Sequence, residues 1–257
     1  MRGYDSALAR APWAARFVYE LMSTGRYLLG ATELAVIAAS LGLGAYHLRA
    51  LLVPAWTGAL ARLAEVPDVN VHSGMLTDGL IDFIEHSRHR PRVVSGEVAG
   101  SAALYEYVGR SDCIEFQTSR VTHDLEPISR LPKFVSINSA VEVDLLGQIN
   151  GETIDGVQIS GVGGSLDFVD GAAVSPGGMA IVALPSTTED GRRSKIVAQL
   201  GAQTPVTIPR FCADYIVTEY GIAQLRGKTL RERAEALRGI AHPSFQGVLA
   251  GTSVAGT

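Results

Sequence analysis

The chain has 257 residues, of which 47% are hydrophobic and 19% charged, with 28 glycines. That length suffices for a sizeable core, and the composition describes a globular protein rich in tight turns, which excludes disordered and fibrous classes. A formal net charge of −4 and an isoelectric point near 5.9 leave no basic face for a general phosphate-backbone binder, so no nucleic-acid partner is expected.

Residues 1–62 are rich in Ala, Leu and Arg and contain no Lys. "WAARFVYELM" (13–22) and "TELAVIAASLGLGAYHLRALLV" (32–53) predict helices, and Pro54 ends the second or opens another. The most apolar stretch, Leu34 to Tyr46, is bounded by Glu33 and His47 and is shorter than the ~18 residues a membrane span needs, so it predicts a buried helix and no membrane partner. The first residues lack the basic start and apolar core of a secretory leader, which favours the cytoplasm.

From Asp68 onward, β-branched runs alternate with Gly-, Pro- and Asp-containing turns. "VNVHSGMLTDGLIDF" (69–83) predicts a strand that turns a corner at Ser73, Gly74 and Met75 into a helix. Further strands are expected at "RVVSGEV", "KFVSIN", "VQISGVGG", "AIVALPST", "TPVTI" and "DYIVTEYG", and helices at "GLIDFIEHS" (79–87), "SAALYEYVG" (101–109) and "LRERAEALRGIA" (230–241). The fold class is α/β with a mostly helical amino-terminal segment. A main domain is expected over 63–249; the end "GVLAGTSVAGT" (247–257) has the composition of a flexible tail, assigned over 250–257. Cys113 and Cys212 stand far apart without a CxxC spacing, which predicts buried thiols, no disulfide framework and no metal site.

Three clusters can carry chemistry. "SGVGGSLDF" (160–168) puts consecutive glycines after a strand, where backbone N–H groups can approach a negative oxygen or simply make a tight turn. "SPGGMAIVALPSTTEDGRRSKIV" (175–197) leads from a glycine turn through a strand to a loop with Arg192, Arg193 and Lys195, either a phosphate contact or a solvated turn. In "INSAVEVDLLGQIN" (137–150), Asn138 leaves a strand where its amide can reach a carbonyl or cap the turn.

In order along the chain, "VNVHSGMLTDGLIDF", "SINSAVEVDLLGQINGETI", "SGVGGSLDFVDGA", "GGMAIVALPSTTEDGRRSKIV" and "DYIVTEYGIAQLRGKTLRERAEALRGIAHPSF" resemble the carboxy-terminal half of the acetyl-CoA hydrolase/transferase family, which includes 4-hydroxybutyrate CoA-transferase. The resemblance runs from about Val69 to about Leu249. It implies the open α/β sheet of class I CoA-transferases, with no permanently bound cofactor and with coenzyme A as substrate alongside a small carboxylic acid. In that family a corner glutamate attacks the acyl-CoA thioester and carries CoA as a glutamyl thioester. The glycine loop, here Gly163 and Gly164, supplies an N–H to the oxyanion, and the positions of Asn138 and Glu219 lie near the reacting carbonyl. Ser160, Gly161, Gly163, Gly164, Gly178 and Met179 are the expected acyl-CoA contacts.

The sequence departs from that pattern in three places. The family's glutamate position is Gly74, pinned by His72, Met75, Asp78 and Gly79. Ser73 has only His72 as a neighbouring base, and the two point to opposite faces of a strand. Met179 stands where relatives often have lysine, and residues 1 to about 55 match no family domain. The implied function is hydrolysis of, or CoA transfer from, short-chain acyl-CoA thioesters, impaired or rerouted by Gly74. The alternatives are a non-catalytic CoA-ester-binding or assembly subunit and a decayed fragment. A homo-oligomer or a partner subunit that supplies the missing half is expected.

Overall fold

Among the described residues, the β-branched runs build two larger sheets, one wholly parallel and one with a single antiparallel edge strand, beside two smaller ones. The computed structural model describes residues 68–252, so the helices expected in 13–22 and 32–53 lie outside the described residues. The first sheet holds β1 (Val71–Leu76), β2 (Val93–Val98) and β3 (Ile114–Phe116) in that order, all parallel. Parallel neighbours need crossovers, and α1 (Gly79–His86) and α2 (Ala102–Arg110) provide them. Leu80 and Phe83 of α1 bury against Leu76 and Val93. The two helix starts are tied together, because the Asp78 carboxylate accepts the Ser101 amide at 3.0 Å and the Ser101 hydroxyl, which itself accepts from the Leu104 amide.

The expected corner at Ser73–Met75 lies further on. β1 continues through Leu76 because Ser73, Met75 and Leu76 keep pairing with Ser95, Glu97 and Val98, and the chain turns at Thr77 and Asp78. Gly74 is therefore a strand residue. Two short helices follow β3, α3 (Ser119–Thr122) and α4 (Leu125–Ser129), neither anticipated from the sequence; α3 packs on β1 and β2.

The remaining elements are β4 (Val135–Ser139), β5 (Glu142–Asp144), β6 (Ile149–Asn150), the hairpin β7 (Thr153–Ile154) and β8 (Val157–Gln158), α5 (Ser165–Val174), β9 (Met179–Ala183), β10 (Ile196–Val197), β11 (Tyr215–Thr218), β12 (Gly221–Gln224), α6 (Leu230–Ile240) and α7 (Pro243–Ala250). The main sheet has the order β12-β11-β9-β4, with β4, β9 and β11 parallel and β12 antiparallel. Its core joins Ala180, Val182 and Ile216 to Val169 and Ala172 of α5 and to Ala234, Leu237 and Ile240 of α6. Each large apolar side chain buried there contributes about 1.5–3 kcal/mol relative to exposure. A capping box between Thr229 and Glu232 opens α6.

Two strand expectations change. "VQISGVGG" is extended only at Val157 and Gln158, because its glycines turn into α5. "TPVTI" forms no strand: Ile208 makes an isolated bridge to Ile149, while the Thr207 hydroxyl is drawn to Glu152 and the Gly151 amide. α7 takes in residues 247–250 and buries Leu249, and the Thr252 carbonyl accepts from Arg238 at 3.2 Å; residues 253–257 lie outside the described residues.

Candidate active site

Residues 175–178 alone connect α5 to β9, and α5 packs on β9 and β4. The helix therefore runs antiparallel to the strands, and its start, with the glycine loop 161–164, lies at the carboxyl ends of β4, β9 and β11. Open parallel sheets bind ligands outside those ends. Gly163 is held at φ +59°, in the left-handed region that glycine adopts without cost, and Gly164 is the residue before the first turn of α5. The first amides of α5 have no acceptor within the helix and face the loop.

Asn138 and Glu219 stand at the same end. Asn138 pairs with Val182, which pairs with Ile216, so Glu219, just past β11, lies about two strand spacings, roughly 10 Å, from the line of β4. The Asn138 amide donates to Ser136 Oγ at 2.7 Å. Glu219 accepts from the Ser186 amide at 2.9 Å and from its hydroxyl at 2.5 Å, and Ser186 is fully buried after β9. Ser160 and Gly161 precede the loop, the Ser160 hydroxyl donating to the Gly161 carbonyl at 2.9 Å.

Gly178 and Met179 do not join this group. They sit at the opposite, amino-terminal end of β9, where the Met179 amide donates to the Phe134 carbonyl. A β-carbon on Gly178 would lie 2.2 Å from the Ala172 carbonyl oxygen, so the glycine there lets the strand start pack against the end of α5.

The space beside Gly74 is filled by a residue that no sequence motif singles out. His123, just past α3, has its Nε2 2.9 Å from the point where a β-carbon on Gly74 would stand, and 2.5 Å from the corresponding point on Gly164. The imidazole thus sits between the strand glycine and the loop glycine, with its ring centroid 5.0 Å from that of Phe168. His123 Nδ1 is 2.7 Å from Thr122 Oγ1, which in turn reaches the Thr118 carbonyl. His72 Nε2–H donates to the Thr122 carbonyl at 3.0 Å, and its ring meets Phe134 and Phe168 edge-on. Burial holds the His72 pKa below its ordinary value, outweighing the hydrogen bond to the Thr122 carbonyl, which favours the protonated ring. His123 went unnoticed because its partners are distant in sequence and brought together only by the crossovers.

The other candidate nucleophiles are engaged. Ser73 Oγ turns back to the Met75 carbonyl at 2.8 Å, and Asp78 is held by Ser101. Burial pushes the Cys212 thiol up to about 11, away from the reactive thiolate.

The family model described as acetyl-CoA hydrolase/transferase C-terminal domain matches residues 100–252. The chain belongs to the acetyl-CoA hydrolase/transferase family. A 4-hydroxybutyrate coenzyme A transferase of Clostridium kluyveri is 41% identical over 187 residues, which is 70% of this chain and 44% of the relative. An acetyl-CoA hydrolase of Kluyveromyces lactis is 34% identical over 190 residues, 71% of this chain and 35% of the relative. The crystal structure of a 4-hydroxybutyrate CoA-transferase from Porphyromonas gingivalis matches with a TM-score of 0.64 at 36% identity, over 77% of this chain and 48% of that one. The chain therefore spans less than half the length of these family members, and its open α/β sheets are those of the CoA-transferases. No described helix is long and apolar enough to cross a membrane.

Proposed function

We propose that this protein acts on short-chain acyl-CoA thioesters, by hydrolysis or by CoA transfer to a small carboxylate, at the carboxyl ends of its parallel strands, in the cytoplasm. The observation that carries the reading is the convergence of Asn138, the Gly161–Gly164 loop at the start of α5, and Glu219 at one end of the main sheet. Amides at the loop suit a developing oxyanion, and such donors supply roughly 10²–10³ in rate. Asn138 and Glu219 would orient the thioester, which enters as substrate; no resident cofactor is part of the scheme. Names of family members cover both transfer and hydrolysis.

A second reading is a non-catalytic CoA-ester-binding or assembly subunit of a hetero-oligomeric CoA-transferase, whose partner chain carries the nucleophile. The absence of any carboxylate at Gly74, with Asp78 committed to Ser101, favours it. The test is to incubate the purified chain with acetyl-CoA, butyryl-CoA and succinyl-CoA, with and without acetate, following free thiol and exchanged acyl-CoA, and to measure binding by calorimetry. Thiol release or exchange supports the enzyme; binding without turnover supports the subunit; no binding removes both.

A further inference from the structure

We infer that His123 is the general base of a thioester hydrolysis, working from the place that the missing side chain of Gly74 leaves open. This rests on the reading that the site takes acyl-CoA.

Three observations converge on the imidazole. First, it is wedged between Gly74 and Gly164, so Nε2 faces both the strand position and the loop whose amides suit an oxyanion. Second, Nδ1 is the ring nitrogen engaged by the Thr122 hydroxyl, at 2.7 Å, which leaves Nε2 as the nitrogen turned to the loop. No described residue bonds to Nε2, and in the tautomer with Nδ1–H donating to Oγ1 it carries the lone pair a base needs. Third, the ring is braced. Phe168 flanks it, and the Thr122 backbone that anchors it is held by His72.

The chemistry balances without further reactants than water. Nε2 takes a proton from a water molecule as its oxygen bonds to the thioester carbonyl carbon; the carbonyl electron pair moves to oxygen, facing the Gly163–Gly164 amides. When the intermediate collapses the C–S bond breaks, the leaving thiolate takes the proton from the imidazolium, and the products are a carboxylic acid and free CoA. No enzyme-bound CoA forms, so acetate cannot be an acceptor on this route.

The titratable groups around the ring are His72 on β1 and Asp124 next in the chain, with Arg92, ahead of β2, acting on His72. Wild-type protein and the His123→Gln and His123→Ala variants are compared for thiol release from acetyl-CoA over a pH series, for acyl-CoA affinity by calorimetry, and for carbethoxylation of His123 by diethylpyrocarbonate mapped by mass spectrometry. The expected result is acetate-independent thiol release that falls at least about 10²-fold in both variants with affinity retained. The acid limb of the wild-type pH profile vanishes with the imidazole, and His123 itself is carbethoxylated. Retained hydrolysis in the variants, or an acid limb that persists in His123→Gln, overturns the assignment while leaving the acyl-CoA reading in place. Binding without thiol release in the wild type also overturns it and favours the non-catalytic subunit. Failure to bind acyl-CoA overturns the reading on which it rests, and the assignment falls with it.

Discussion

The Nε2 of His123 lies 2.9 Å from the point that a β-carbon on Gly74 would occupy, so any side chain at position 74 meets the imidazole in its present rotamer. Restoring the family's carboxylate is therefore not a matter of one substitution. Gly74→Glu alone is expected to displace the ring and abolish thiol release. Gly74→Glu combined with His123→Ala gives the carboxylate room, and intact-mass analysis after acyl-CoA treatment should show a covalent CoA adduct in the double variant and not in either single one. Equal adduct formation by Gly74→Glu alone would show that the ring yields freely.

Gly164→Ala isolates the same contact from the other side. Its φ of −93° suits alanine, yet the new methyl would lie 2.4 Å from His123 Cδ2. The cost is expected to be about 1–3 kcal/mol, the range for overpacking, with loss of hydrolysis. Gly161→Ala in the same loop meets nothing within 4 Å and should leave the unfolding free energy within about 0.5 kcal/mol of wild type.

Gly178→Ala should destabilise by at least about 1–3 kcal/mol, because the obstruction is the backbone oxygen of Ala172, which cannot rotate away. Acyl-CoA affinity of whatever fraction remains folded should be unchanged. A selective loss of affinity without loss of stability would return Gly178 to the ligand site.

Glu219→Ala strands the buried amide and hydroxyl of Ser186. Leaving such donors unpaired costs about 1–3 kcal/mol, which urea denaturation would register, and the carbonyl-orienting role would appear as a separate fall in kcat.

His72 makes stability depend on pH. Its folded pKa lies below 6.5 because burial disfavours the imidazolium, so between those values the unfolded chain binds a proton that the folded chain does not. Its contribution is complete above pH 6.5 and is lost as the pH falls through the folded value. Denaturation midpoints should drop on acidification across that window, and His72→Gln should flatten this part of the profile while its amide still reaches the Thr122 carbonyl.

The long buried strands were legible because apolar runs such as those of β9 and β11 are buried on both faces, and α6 because its charges alternate with Leu and Ala. α5 was hidden by the glycine within it and those just before it. Gly171 packs where a β-carbon would strike Ile128 Cγ2 at 2.4 Å, so a residue that lowers helix propensity is there for close packing. α7 was obscured by small residues that tertiary burial of Leu249 recruits into a helix. Of the site, the loop and the strand-end residues were visible as motifs, and the deficit at Gly74 was visible by comparison with the family pattern. What fills the deficit was not, since one side chain between a strand glycine and a loop glycine far apart in the chain leaves no spacing to recognise.

The wedge between Gly74 and Gly164 also orders the mutational routes through this site. A carboxylate at position 74 and the imidazole in its present rotamer exclude one another, so their effects on activity should be strongly non-additive. Gly74→Glu first crowds the imidazole out of place, and a change at His123 first removes it while position 74 is still glycine, so either order passes through an intermediate that lacks a catalyst. The site thus sits on its own small fitness peak, separated from the transferase peak by a valley one substitution wide.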